Sequence, residues 1–158
     1  MKKGAFFSKD KKYRYLLTRS WDKTKPSCCF ICINPSKAND TDNDNTVTSC
    51  INKAKDLGFG SIEMVNLFGL VDTNRDLLYE IKDPVGPEND KYLKNSVNRC
   101  DKIIVAWGNG GNYMNRDMVI LEILKKSGKT ISCLAKNDGG QPRHPGRMGI
   151  VKNLIKYN

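Results

Sequence analysis

Four short apolar runs set the frame for this chain: CCFICI (28–33), SIEMVNLF (61–68), KIIVAW (102–107) and TISCLA (130–135), each separated from the next by a helix-length segment. Runs of this length, rich in apolar or β-branched residues and bounded by polar residues or glycine, read as buried strands. The intervening segments carry a helical stripe instead. In TVTSCINKAKDLG (46–58) it is Val47, Cys50, Ile51, Ala54 and Leu57, closed by Gly58. TNRDLLYEI (73–81) offers Thr73 as a cap, and the segment 87–100 places Pro87 in a first turn. RDMVILEILKKSG (116–128) ends on lysines and glycine, as the helix dipole favours. A further amphipathic helix is expected at 148–158, and KYRYLLTRSW (12–21) is expected to add a strand or hairpin at a sheet edge. Strands alternating with helices pair in parallel through right-handed crossovers. The expected fold class is therefore α/β: a three-layer α/β/α sandwich with a central, mostly parallel four-stranded sheet. A chain of 158 residues suits a single domain.

Charge narrows the partners. Lys plus Arg number 27 and Asp plus Glu 17, a formal net charge of +10, which concentrates polyanions around the molecule. The alternative is solubility alone, since the lysines are spread along the chain. No stretch reaches the length of a membrane span, and the opening MKKGAFFSKDKK lacks the apolar core and cleavage site of a secretory signal. A cytoplasmic monomer is expected, with its six cysteines reduced. Cys29 and Cys32 form a C-x-x-C, but on a strand residues three apart point to opposite faces. They read as small buried hydrophobes, so no metal site is expected.

In a parallel sheet ligands bind outside the carboxyl ends of the strands. Here the first strand runs into Asn34-Pro35-Ser36 and the second contains Asn66. The third gives AWGNGG, and the fourth leads to Arg143-His144-Pro145. Each has a structural alternative. Asn34 before proline can start a turn, and Trp107 can be core. GNGG lacks the lysine and spacing of a phosphate loop. Asn66 interrupts an apolar run, so its amide needs partners, structural or from a ligand. His144, the sole histidine, lies in a basic, proline-bounded loop. The loop INPSKANDTDNDNT (33–46) crowds Asn34, Asp40, Asp42 and Asp44 together, and an Asp there can cap the next helix.

In order, these motifs resemble the uracil-DNA glycosylase-like superfamily. CINPS is similar to its G-I-N-P-G motif, MVNLF to its LLN, AWG to its LWG, and RHPGR to its HPS. The chain also resembles a bacterial and phage domain family bearing NPS-A, D-T, NLF, DP-GPEND, AWG and HP, from about Tyr13 to Gly149. Antiphage DNA glycosylases that remove bulky modified bases are similar small members of the superfamily, which makes viral DNA a candidate substrate.

The resemblance implies a metal-independent glycosylase that flips a nucleotide, needs no cofactor and leaves an abasic site. Asn34 would position the attacking water and His144 would donate to the departing base. Asn66 would read the base edge, Phe68 or Trp107 would stack on it, and Ser36 would lie at the pocket floor. Arg143, Arg147 and Lys37 would hold phosphates. Because an amide is a weak base, Asp42 is left available for chemistry and Asp44 is assigned to the helix cap. Gly146 replaces the family's serine and Ser36 its glycine, departures that put uracil in doubt as the substrate and are compatible with a modified pyrimidine such as glucosylated hydroxymethylcytosine. The alternatives on this fold are a nucleotide- or nucleoside-processing enzyme and a non-catalytic nucleic-acid-binding module.

Overall fold

Strands buried on both faces must satisfy their backbone groups against one another, and the apolar runs do so in a single sheet. The computed structural model describes all residues except 74, 75 and 147. Its strands are β1 (Lys2–Phe7), β2 (Arg14–Ser20), β3 (Ser27–Cys32), β4 (Ser61–Asn66), β5 (Lys102–Val105), β6 (Ile131–Cys133) and β7 (Ile155–Lys156). The helices are α1 (Asn45–Asp56), α2 (Asn89–Arg99) and α3 (Arg116–Lys126).

The described residues form a seven-stranded sheet in the order β1-β2-β4-β3-β5-β6-β7. The four apolar runs are its centre, with β4, β3, β5 and β6 paired in parallel. Antiparallel strands extend both sides: β2 on β4, β1 on β2, and β7 on β6. The expectation of four strands is thus corrected to seven. The segment 12–21 adds a single strand, β2, and it is not at the edge: β1, formed by residues 2–7, pairs with its outer side.

One helix covers one face and two cover the other. α1 packs Val47, Cys50, Ile51 and Ala54 against Cys28, Phe30, Cys32 and Ile62. α2 and α3 bring Leu93, Val97, Ile120 and Leu124 against Cys29, Ile31, Val65 and Val105. Cys29 and Cys32 therefore lie on opposite sides of the sheet, and all six cysteines are buried and free. Among the described residues, no helix is long and apolar enough to cross a membrane.

One helical expectation fails. The segment 148–158 forms no helix: β7 pairs with β6, the Tyr157 N–H donates to the Ile131 carbonyl at 2.8 Å, and the Tyr157 ring meets Trp107 edge-on. An open strand edge offers a row of backbone partners that outweighs a weak helical stripe. The segment 73–81 includes residues 74 and 75, which lie outside the described set; the described remainder contains a single 3-10 turn, Leu77–Tyr79.

α2 is tied to the sheet by Glu63 of β4, which accepts hydrogen bonds from the Ser96 hydroxyl at 2.7 Å and the Arg99 Nε at 3.0 Å, with a second bond from Arg99 Nη2. Partial burial pushes the Glu63 carboxyl up, but the bonds from Arg99 and Ser96 outweigh it and hold the carboxyl below its ordinary value. A carboxyl lowered on folding stabilises the fold above its unfolded pKa, and that stability is lost as pH falls through the folded value. Denaturation across the acid range is expected to show Glu63→Gln less stable than wild type near neutrality, with the gap closing as pH drops.

Candidate functional site

The polar loop after β3 is built around two arginines of β2. Arg19, fully buried, donates from Nε to Asn43 Oδ1 at 2.8 Å and from Nη2 to the carbonyls of Asn39 at 2.6 Å and Asp42 at 3.2 Å. Its Nη1 reaches the carbonyls of Gly4 and Thr18. Arg14, 2% exposed, donates from Nη1 to the Ala38 carbonyl at 3.0 Å. Asp44 closes the loop: Oδ1 accepts from Val47 N at 2.9 Å, capping α1, and Oδ2 from Ala38 N at 3.3 Å. Without the two arginines the buried Ala38 carbonyl and the half-buried Asn39 carbonyl would lose these donors.

Between this loop and the strand ends lies a pocket of about 180 Å³. Asn34, Pro35 and Ser36 follow β3, Asn66 ends β4, and His144 comes from the loop after β6; all line it. Arg14, Asp44, Thr46, Asp72, Thr73, Cys32, Val47 and Met64 complete the wall. The Asn34 Nδ2 donates to the carbonyls of Asp72 at 3.0 Å and Pro35 at 3.2 Å, which leaves its side-chain carbonyl as the end able to accept from a bound water. His144 Nδ1 accepts from Gly146 N at 3.0 Å, so the neutral ring carries its proton on Nε2. Asn66 is 2% exposed, and its Nδ2 has no partner among the described residues.

The His144 loop is held from two sides. On α1, the Ser49 hydroxyl donates to the Pro145 carbonyl at 2.8 Å, and buried Lys53 donates to Ser49 Oγ and the Met148 carbonyl. On the β5 side, the Trp107 indole donates to Gln141 Oε1 at 2.9 Å, while Gln141 Nε2 donates to Asp117. Gly108, at φ 75°, donates its N–H to the Pro142 carbonyl and lies beside His144.

Of the other sequence-nominated residues, Phe68 and Trp107 are 0% exposed and belong to the core on the α2/α3 side, so neither can stack on a ligand in this pocket. A Cβ on Gly111 would meet the Trp107 ring at 2.1 Å, which makes GNGG a packing motif. Asp42 is exposed and lies outside the pocket; its carbonyl serves Arg19, and the carboxylates that line the pocket are Asp44 and Asp72. Lys37 lines an adjoining cleft of about 640 Å³ that shares Ser36 and Thr73 with the pocket. Arg143 is exposed next to His144, and Arg147 lies outside the described residues. Arg116 is occupied structurally, donating to the Leu67 carbonyl at 3.0 Å and pairing with Asp90.

Arg14 and Asp72 were not singled out by sequence. Asp72 sits in VDTN, a stretch read there as a helix start, and Arg14 sits in a presumed edge strand. Among the described residues, no group of three or more His, Cys, Asp or Glu side chains is arranged to hold a metal ion.

Replacing Arg19 by Met removes the donor to the Asn39 carbonyl and leaves the Asp42 carbonyl with the Asn39 N–H alone, and is expected to cost about 2–4 kcal/mol in chemical denaturation while weakening any ligand binding at the pocket. Retention of full stability would show that the loop holds itself.

No curated protein and no solved structure matches the chain. A family described as "Protein of unknown function (DUF1643)" matches residues 14–146, a span that includes both arginines of β2, the polar loop and the His144 turn. The chain belongs to the DUF1643 family.

Proposed function

We propose that this protein is a DNA glycosylase that takes a flipped, modified base into the pocket and hydrolyses its N-glycosidic bond, leaving an abasic site. The observation that carries the reading is the convergence of Asn34, Asn66 and His144, from three separate strand ends, on one pocket. It is the arrangement expected from the resemblance to the uracil-DNA glycosylase-like superfamily.

The roles follow from the chemistry. A departing base gathers negative charge on its carbonyl oxygen, and a donor aimed there strengthens as the bond breaks. The Nε2–H of neutral His144 is suited to that task, with Nδ1 fixed by Gly146. The sugar gathers positive charge, which a carboxylate stabilises. Asp72, which lines the pocket and whose backbone carbonyl accepts from the Asn34 amide, takes this role in place of Asp42, while the Asn34 side-chain carbonyl orients the water. Asn66 reads the base edge.

Size bears on the substrate. Pockets for drug-sized ligands run to about 300–1,000 Å³, so the inner pocket suits a single ring. A group appended to that ring, such as a sugar, extends into the cleft lined by Lys11 and Lys37, which also attract the phosphates of viral or other DNA. The net charge of +10 supports a polyanionic substrate. A role in antiphage defence follows if the excised base is one that phages use.

The test is incubation with ordinary, uracil-containing and hypermodified phage DNA, followed by assay for alkali-labile sites and mass spectrometry of released base. His144→Ala is expected to lower the excision rate by about 10²–10³-fold and Asp72→Asn by about 10²–10⁴-fold, both with DNA binding retained. Release from free nucleosides alone would point to a nucleoside-processing enzyme, and binding without product to a non-catalytic module.

A further inference from the structure

Strict alternation along β2 would put Arg14 on the same face as Leu16, toward α2. A bulge prevents this. Phe6 of β1 pairs with Leu16 and Phe7 with Arg14, leaving Tyr15 as an extra residue on β2. Tyr15 and Leu16 both turn to the α2 side, where Tyr15 stacks on Tyr92 at 5.2 Å and Leu16 joins the core. Arg14 is thereby re-aimed to the α1 side, into the pocket beside Met64 and Cys32.

There its guanidinium is 2% exposed, and its Nε has no partner among the described residues. The Asn66 Nδ2 is in the same condition on the same pocket. A buried donor without an acceptor is costly. Both side chains line one cavity, and a ligand there that brings acceptors is the kind of partner they lack. Arginine has no acceptor at all. Burial brings the Arg14 guanidinium down to about 10, opposed by Asp44, so it stays charged at neutral pH.

We propose that Arg14 is the pocket's anion-holding group: with the Asn66 amide it forms a donor wall for a ring whose buried edge carries carbonyl oxygens or a deprotonated nitrogen. Resting on the glycosylase reading, it gives Arg14 a catalytic role that the sequence motifs do not assign. The C1′–N bond breaks with its electron pair passing to the base, and the base is held as an anion against Arg14. The water oxygen bonds to C1′ while its proton passes to Asp72 and on to solvent, and the released base takes a proton from solvent. Such a cation lets a weak water-activating group suffice, because stabilising the leaving group lowers the same barrier.

The test is calorimetric binding of free uracil and 5-fluorouracil, the latter having the more acidic ring N–H, on both sides of the 5-fluorouracil ionisation. Asp44, Asp72, Cys32, His144 and Arg19 are the other titratable and charged groups near Arg14 or on the pocket, and any titration of theirs acts on both ligands. Affinity for 5-fluorouracil is expected to rise on ionisation, relative to uracil, by about 10-fold or more. Arg14→Lys keeps the rise and Arg14→Gln abolishes it.

A flat wild-type profile, or a rise that survives in folded Arg14→Gln, overturns the inference. If Arg14→Gln does not melt cooperatively, the wild-type comparison decides alone. Excision from DNA without the rise sinks the role of Arg14 and leaves the glycosylase reading standing. The rise without excision from any DNA sinks that reading and leaves Arg14 as the anion-binding group of the pocket.

Discussion

Two buried guanidiniums on one strand organise the pocket end of this molecule. A charge removed from water must be surrounded by oriented acceptors, and the chain supplies them from the loop that follows β3. Arg19 gathers the backbone carbonyls of residues 39 and 42 and the Asn43 side chain, and Arg14 takes the carbonyl of residue 38. That explains the density of Asn and Asp in this loop. Short polar side chains cap turns and the helix start while their carbonyls face inward, as in the Asn39 side chain's bonds to the N–H groups of residues 41 and 42. The loop is then rigid enough to present Asn34 at a defined angle.

The remaining motifs support this frame from behind. In DPVGPEND, Asp83 Oδ1 accepts from Gly86 N, and Asn89 donates to the carbonyls of Asn66 and Leu67 at the end of β4. Asp90 receives Arg116 from the start of α3, and Arg116 also reaches Leu67. The strand end that carries Asn66 is thus held by two helices through polar contacts in a low-dielectric setting, where each is stronger than in water. Trp107 does the same for the His144 loop through Gln141. Residues that look like ligand contacts by type, an aromatic beside glycines and a buried Asn, here divide into one that positions a loop and one that faces the pocket.

Much of the architecture was legible because hydrophobic periodicity is a local signal. The four central strands and α1, α2 and α3 coincide with their apolar patterns to within a few residues. The outer strands were less so. β1 has an exposed, weakly alternating pattern and β7 is two residues long, and such strands owe their existence to the sheet edges that they cover. Asn34, Asn66, His144 and Ser36, singled out by strand ends and motifs, line one pocket. Phe68 and Trp107 were misassigned because an aromatic at a strand end looks alike whether it faces the pocket or the opposite layer. The choice between Asp42 and Asp44 as cap was readable from the position before α1, whereas Asp72 lies in a loop whose fold depends on its neighbours.

The sequence by itself determined the strand and helix succession, the basic surface and the positions where polar groups leave the sheet, since each depends on residues close together in the chain. Tertiary structure alone decided which of those groups share a cavity, and above all the aim of Arg14. One unpaired residue in the pairing of β1 with β2 reverses the face on which every residue before it lies. A bulge is a property of two strands in register, and no pattern within one of them can reveal it.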